Sequence, residues 1–416
     1  MLKLQNTYQW RLLCALVLTA IFAGLGGIFL HELLHVVEKL LFGQAESQGA
    51  TFFLSVPPLR RFWVVFGTGL LSAFGWLILQ SKHRQILSVK AQMAQDEQSQ
   101  SDHPILWVHF CHILLQIVSV GAGSPIGKEG APRELGALGA GRIAACFKLT
   151  LPDRRFLIAC GAAAGLAAVY QVPLASIFFI FETLAIGLSI RNLLLAGLAT
   201  FLAAWMAQLV ISPEALYQIA AFKTNWSSLL VALAVGAIVG PLAQLFQRIV
   251  VVANCHKQKD KLILAYLPLV FALLALLSLT FPELLGNGGA FAQQVFNGMG
   301  MKHTFLLLFL KAALVVLVMR AGAYGGTLTP SFAMGSALGL IIFSGLHLLN
   351  PNLASTAAIL SGAAAFLATT MSAPLTAVGL VMSFTGQPAS AFLPLLVAVI
   401  TAHFINIFLT TLLNRN

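Results

Sequence analysis

One stretch of the chain gathers residue types that could do chemistry: Gly121-Ala-Gly-Ser-Pro-Ile-Gly127-Lys128-Glu129-Gly130-Ala131-Pro132-Arg133-Glu134. It interrupts an apolar run and opens another, Leu135 to Phe147. Glycines let a backbone approach a ligand closely. Amides at a helix start are unpaired donors at the positive end of the helix dipole. A helix start of this kind, set inside a membrane, suits an anion. Dehydrating a bare anion in a low dielectric costs tens of kcal/mol. Converging amides offset most of that without a full positive charge that would trap the ion. A second segment, Gly325-Gly326-Thr327-Leu328-Thr329-Pro330, has the same character.

Glu129 is the unusual member. A carboxylate among donors suited to anions competes for the anion's place, and its protonation withdraws that competition. Ionisable groups inside membranes are rare and tend to be functional. The structural alternative is a carboxylate that caps the next helix. A phosphate loop is excluded, because Gly127-Lys128 is followed by Glu129 instead of Ser or Thr, and no strand precedes it.

A second constellation, His31-Glu32-Leu33-Leu34-His35, fits HExxH, in which two histidines on one helix face hold zinc and the glutamate acts as base. An intramembrane protease of that kind also needs a third ligand, usually a later aspartate. Here the aspartates are Asp96, Asp102, Asp153 and Asp260, each beside polar or charged neighbours. The alternative is that His31–His35 form the polar end of the first long helix, which enters water near Glu38-Lys39. His109 and His112 have helical spacing and no acidic partner in their own span, so they read as packed or interhelical hydrogen-bonding residues.

The elements that must position these residues are membrane helices. Of the 416 residues, 59% are hydrophobic and only 9% charged, against about 25% charged in an ordinary soluble domain. That excludes a soluble enzyme, a secreted disulfide scaffold and a disordered chain. The five cysteines are scattered and form no CxxC, so they read as apolar fillers. The net charge of +11 is spread singly between apolar runs, as in membrane loops and unlike a nucleic-acid surface. The first apolar run, Arg11–Leu30, is too long for a cleavable signal. The polar stretch Lys90–His103 is expected to be an aqueous loop. Basic groups at Lys82-His83-Arg84, Arg154-Arg155 and Lys257–Lys261 follow apolar runs.

Several runs have the wrong length for a single span. Phe156–Ile190 and Leu353–Thr411 are long and broken at Pro173 and Pro374, as in helices that line polar cavities. A repeat is visible too: Gly161-Ala-Ala-Ala through Pro173-Leu174 matches Gly362-Ala-Ala-Ala through Pro374-Leu375. Each copy has one of the glycine segments upstream. Two copies of one design place a site between the halves, near the bilayer midplane.

On these residues the chain resembles the CLC family of chloride channels and proton/chloride exchangers. Gly127-Lys128-Glu129-Gly130 is similar to that family's Gly-Arg/Lys-Glu-Gly-Pro signature. The segments Gly161 through Pro173-Leu-Ala, Phe181-Glu182, Gly325–Pro330 and Ala373-Pro-Leu-Thr376 resemble its later helices in order. The resemblance implies a homodimer whose subunits each carry an anion pathway between inverted halves, entered along basic vestibules. Glu129 would be the gate, and Gly127, Lys128, Gly130, Gly326, Thr327 and Leu328 would bind the anion. Three departures stand out. The family's early serine segment is missing, which leaves Ser88 as the candidate; no tyrosine follows Tyr324; and Thr183 stands where exchangers often carry an internal proton-transferring glutamate. Glu182 beside it is the other proton-pathway candidate with Glu129.

The expectation is an all-α integral membrane protein of two inverted-repeat halves, about 10–211 and about 225–413, made of tilted, partly broken helices with no soluble regulatory domain. It should transport chloride or a similar small anion with proton coupling in a bacterial inner (plasma) membrane. The partners expected are that anion, lipid and a second copy of the chain, without nucleic acid, cofactor or enzymatic activity. A passive voltage- or pH-gated channel is the alternative, and a zinc protease using His31, Glu32 and His35 a distant one.

Overall fold

A computed structural model describes residues 2–80, 86–95, 104–349, 353 and 355–413. Lys82, His83, Arg84 and the 96–103 part of the expected aqueous loop, with Asp96 and Asp102, lie outside the described residues. The helices in chain order are α1 Leu2–Phe42, α2 Pro58–Leu79, α3 Val89–Ala94, α4 Leu106–Gly121, α5 Gly130–Cys146, α6 Leu151–Tyr170, α7 Pro173–Glu182 and α8 Ile190–Ala207. They continue as α9 Trp226–Cys255, α10 Ile263–Thr280, α11 Gly289–Phe296, α12 Met301–Arg320, α13 Leu328–Leu349, α14 Ser355–Met371, α15 Pro374–Thr385 and α16 Phe392–Leu413. Among the described residues there is no strand, and 8 helices are long and apolar enough to cross a membrane. The chain is an all-α, multi-pass membrane protein.

The two overlong apolar runs break in the same way. Gln171 (φ 55°) and Ser372 (φ 53°) are left-handed. The next amides turn back, Val172 N–H donating to the Ala167 carbonyl (3.3 Å) and Ala373 N–H to Ala368 (3.1 Å). Pro173 and Pro374 then open α7 and α15 as first helical residues, where a missing N–H costs nothing. The sequence repeat is thus a repeated stop-and-restart of the helix.

Two expectations need correction. α1 continues to Phe42, so His31–His35 lie inside it and not at an end that enters water. Glu38 is buried, and its carboxylate accepts the Glu46 N–H at 2.8 Å. The helix after the glycine segment starts at Gly130, ahead of Leu135. Its first turn contains Gly130, Pro132 and Arg133, which an apolar pattern does not register.

The chain packs as two compact units. The first comprises Met1–Leu34, Gly75–Val118 and Lys128–Pro213; the second His35–Phe74, Ser119–Gly127 and Glu214–Asn416. Lipid tails are as apolar as leucine, so helices associate through close backbone approach. In the first unit α5 and α6 meet backbone to backbone: a Cβ on Gly161 would lie 2.3 Å from the Gly136 carbonyl oxygen. In the second unit a Cβ on Gly362 of α14 would lie 2.3 Å from the Gly335 carbonyl oxygen of α13. Leu30, Leu34, Ile113, Ile117, Ala131 and Leu135 form an apolar cluster joining α1, α4 and α5.

Candidate functional site

The two glycine segments meet in the second unit. Gly127 N–H donates to the Gly326 carbonyl (2.7 Å), and Gly326 N–H donates back to Gly127 (2.9 Å). A Cβ on Gly325 would lie 2.6 Å from Ile126 Cδ1 and 3.1 Å from the Gly127 carbonyl oxygen, so only glycine fits there without a shift. In this clasp the N–H of each of these two glycines, both expected to bind the anion, is donated to the other's carbonyl. α5 starts three residues beyond Gly127 and α13 two beyond Gly326. The first-turn N–H groups of each have no carbonyl partner within their own helix. Both helices then place proline third, at Pro132 and Pro330.

Polar pins hold the clasp from behind. Gly286 N–H donates to the Gly123 carbonyl (3.1 Å), and Gly123 has φ 98°. Lys311, buried inside α12, donates from Nζ to the carbonyls of Leu284 (2.9 Å) and Gly286 (2.6 Å).

Lys128 and Glu129 continue the chain into the first unit. Glu129 is fully buried at the N-cap position of α5, yet its side chain makes no capping hydrogen bond. The capping alternative therefore does not account for this carboxylate. Its carbonyl accepts from Arg133 Nε (2.9 Å), and the Arg133 guanidinium stacks on Phe179 at 5.6 Å. Lys128 is buried with Nζ 5.8 Å from the Tyr170 ring centre. Thr327 supplies the carbonyl that accepts the Ser331 N–H (2.9 Å), and Leu328 is the first residue of α13.

The remaining candidates are dispersed. Ser88 is exposed at the N-cap of α3, where its oxygen accepts the Ala91 N–H (3.2 Å), leaving the hydroxyl hydrogen to donate elsewhere. α3 packs on α5 and α6. Near them lies a cavity of about 410 Å³ lined by Arg142, Lys148 and Arg154 together with Gln92 and Gln95. Glu182 ends α7, half-buried, and Thr183 follows as its C-cap with a buried hydroxyl. His31, Glu32 and His35 bring ligand atoms within 4.8 Å of one another, and among the described residues no other His, Cys, Asp or Glu joins that group. Asp153 instead accepts from Tyr8 (2.7 Å) and pairs with Arg191 (3.2 Å), and Asp260 accepts the Leu262 N–H (3.1 Å).

One group of polar residues escaped the sequence reading. His109 Nδ1 lies 2.7 Å from Glu134 Oε1, and His112 Nδ1 lies 2.8 Å from Oε2. Gln116 Nε2 donates to Oε2 at 2.9 Å. The interhelical role expected of the two histidines holds. Their shared acid comes from α5, and the signal for it was a carboxylate in the same glycine-rich stretch as Glu129.

Residues 68–406 match the family profile described as Voltage gated chloride channel. The H(+)/Cl(-) exchange transporter ClcA of Vibrio parahaemolyticus is 29% identical over 304 residues, which span 68% of this chain and 63% of that protein's length. The Voltage-gated ClC-type chloride channel ClcB of Escherichia coli O17:K52:H18 is 30% identical over 308 residues, or 70% of this chain and 71% of that one. The crystal structure of a slow cyanobacterial Cl-/H+ antiporter aligns with TM-score 0.76 and 21% identity over 97% of both chains. A CLC-type fluoride/proton antiporter aligns with TM-score 0.68 and 21% identity over 95% of this chain and 94% of that one. At such identity these structures establish the fold.

Proposed function

The chain belongs to the voltage-gated chloride channel (CLC) family, and on that premise we propose that it carries chloride or a similar small anion across a membrane, gated by Glu129 and coupled to protons. The observation that carries this reading is a fully buried carboxylate at a helix start that does not cap the helix. An ionised Glu129 occupies the place that the α5 amides would offer an anion; a protonated one gives it up. An acid that trades places with the anion links the two ion fluxes by construction. The amides following Gly127 at the start of α5, and those of Thr327 and Leu328 at the start of α13, are the anion-attracting groups. The basic cavity of Arg142, Lys148 and Arg154 serves as a vestibule, and Ser88, the N-cap of α3, is the candidate hydroxyl donor. The relatives named as exchanger and channel support transport over catalysis. The working assembly is a homodimer in lipid, in a bacterial inner membrane.

The test is chloride flux in proteoliposomes across a pH series. Glu129→Gln is expected to remove the pH control, and His31→Ala to leave it intact. Chelator-sensitive peptidase activity without chloride flux would overturn the assignment. A passive channel is the second reading, favoured by Thr183, which cannot hold the proton that an internal acid would. Chloride-driven proton uptake separates the two: no proton movement under a large chloride gradient leaves the channel.

A further inference from the structure

A carboxylate and two imidazoles share one buried site in the first unit, and neither the gate nor the anion donors use them. Glu134 is 8% exposed, His112 3% and His109 fully buried. We propose that His109, Glu134 and His112 form a proton-binding site that takes up and releases one proton and, resting on the antiport reading above, relays it along α5 to Glu129.

Hydrogen bonding fixes part of the protonation pattern. The Leu87 N–H points at His109 Nε2 (3.4 Å), so that nitrogen is an acceptor and Nδ1 carries the hydrogen donated to Glu134 Oε1. The other side of the carboxyl is ambivalent. His112 Nδ1 and Glu134 Oε2 are 2.8 Å apart, and either can hold the proton of that bond. Gln116 Nε2 lies 2.9 Å from Oε2 and 3.0 Å from Nδ1, within reach of both ends. A proton can therefore sit on either atom with no heavy atom displaced.

Charge then sets the capacity. With both imidazoles neutral and Glu134 ionised, the site buries a net negative charge, which is costly in a low dielectric. One added proton makes it neutral, as carboxylate with imidazolium or as carboxyl with two imidazoles. A second proton would bury a net positive charge. The site thus alternates between two states that differ by one proton.

Among the described residues, the charged side chains of α3 and α6, which pack on α5, are Lys90, Asp153, Arg154 and Arg155, all within the first two turns of those helices. α2 presents Trp76, whose ring meets His112 edge to face at 5.1 Å. The segment before α3 presents the Leu87 amide, with Gln92 Nε2 donating to the Leu87 carbonyl. α1 closes the apolar side with Leu30 and Leu34. Arg133, next in sequence, turns to Phe179. Among the described residues, His109 and His112 are the ionisable groups in contact with Glu134. Glu134 follows Glu129 by five residues, about 7.5 Å of helix rise, and so supplies a proton holder that Thr183 does not.

Two measurements test this. Infrared difference spectra of the purified protein between acidic and alkaline pH should show carboxyl and imidazole bands that vanish in Glu134→Gln; a variant spectrum superimposable on wild type overturns the site. If Glu134→Gln does not fold, His112→Gln is measured on the same bands: their loss supports the site, and an unchanged spectrum overturns it. In proteoliposomes Glu134→Gln should lower the proton-to-chloride ratio at least about tenfold while chloride flux persists, and Glu134→Asp should restore part of it. An unchanged ratio refutes the relay. Absence of proton uptake by wild-type protein overturns the antiport reading and the relay together, while the spectra still decide the binding site.

Discussion

Gly161→Ala would set a methyl carbon 2.3 Å from the Gly136 carbonyl oxygen. Both partners are helix backbone, so no side chain can rotate aside and α5 and α6 must separate. Moving from 2.3 Å to ordinary contact, 3.4 Å or more, requires about 1 Å of separation. A gap of that size forfeits roughly a quarter to a half of each dispersion well along the interface. Overpacking in dense cores costs about 1–3 kcal/mol and sometimes more; alanine returns about 0.5–1 kcal/mol of helix preference. Net destabilisation of about 2 kcal/mol is the expected result. Gly362→Ala meets the Gly335 carbonyl oxygen at the same 2.3 Å, so its cost should agree within about 1 kcal/mol. Gly141→Ala is the control: its nearest neighbour is Ile158 Cδ1 at 3.8 Å, and it should be neutral or stabilising. Reversible unfolding in mixed detergent micelles measures all three. If Gly161→Ala matches wild type within about 0.5 kcal/mol, backbone apposition is not what holds these helices together.

Other perturbations reach different parts of the molecule. Lys311→Met leaves the Leu284 and Gly286 carbonyls without their ammonium donor; at about 1–3 kcal/mol for each stranded group, it should destabilise the protein and slow anion flux, and unaltered stability and flux would refute the pinning role. Lys257, in the turn after α9, is pushed down to about 7 by burial and then by Lys259, while the Tyr324 ring, 3.7 Å from Nζ, favours the charged form. The unfolded chain holds that proton up to its ordinary 10.5 and the folded protein only to about 7, so stability rises with pH across this window. Thermal unfolding of wild type and Lys257→Met on both sides of the window should show the wild-type deficit shrinking as pH rises; a parallel response would refute the shift.

What the sequence disclosed and what it hid follow from range. The breaks at Pro173 and Pro374 were legible because proline and its preceding residues act locally. The glycine segments at Gly121–Pro132 and Gly325–Pro330 were legible as a pair because they repeat, though not that Gly127 and Gly326 bond each other. Glu134 stood in view beside Glu129, but its partners lie 22 and 25 residues earlier on another helix, and only packing turns α4 toward it. Lys311 sat within the apolar run Thr304–Met319, and its acceptors at Leu284 and Gly286 are loop carbonyls that no side-chain pattern marks. Glu38 looked like a water exit because charge implies solvent; a backbone N–H from Glu46 keeps it buried instead.

The reciprocal bond between Gly127 and Gly326 also has a timetable. Its two segments leave the ribosome roughly 200 residues apart, which at about 5–20 residues per second is about 10–40 s of synthesis. During that interval the 119–127 segment, which packs with the later 214–416 portion, is already made while its partner is still untranslated. Its amides must meanwhile be satisfied by water or by the insertion machinery. Codon-dependent pauses before Gly326 would lengthen this exposure, whereas equal pauses after it would not.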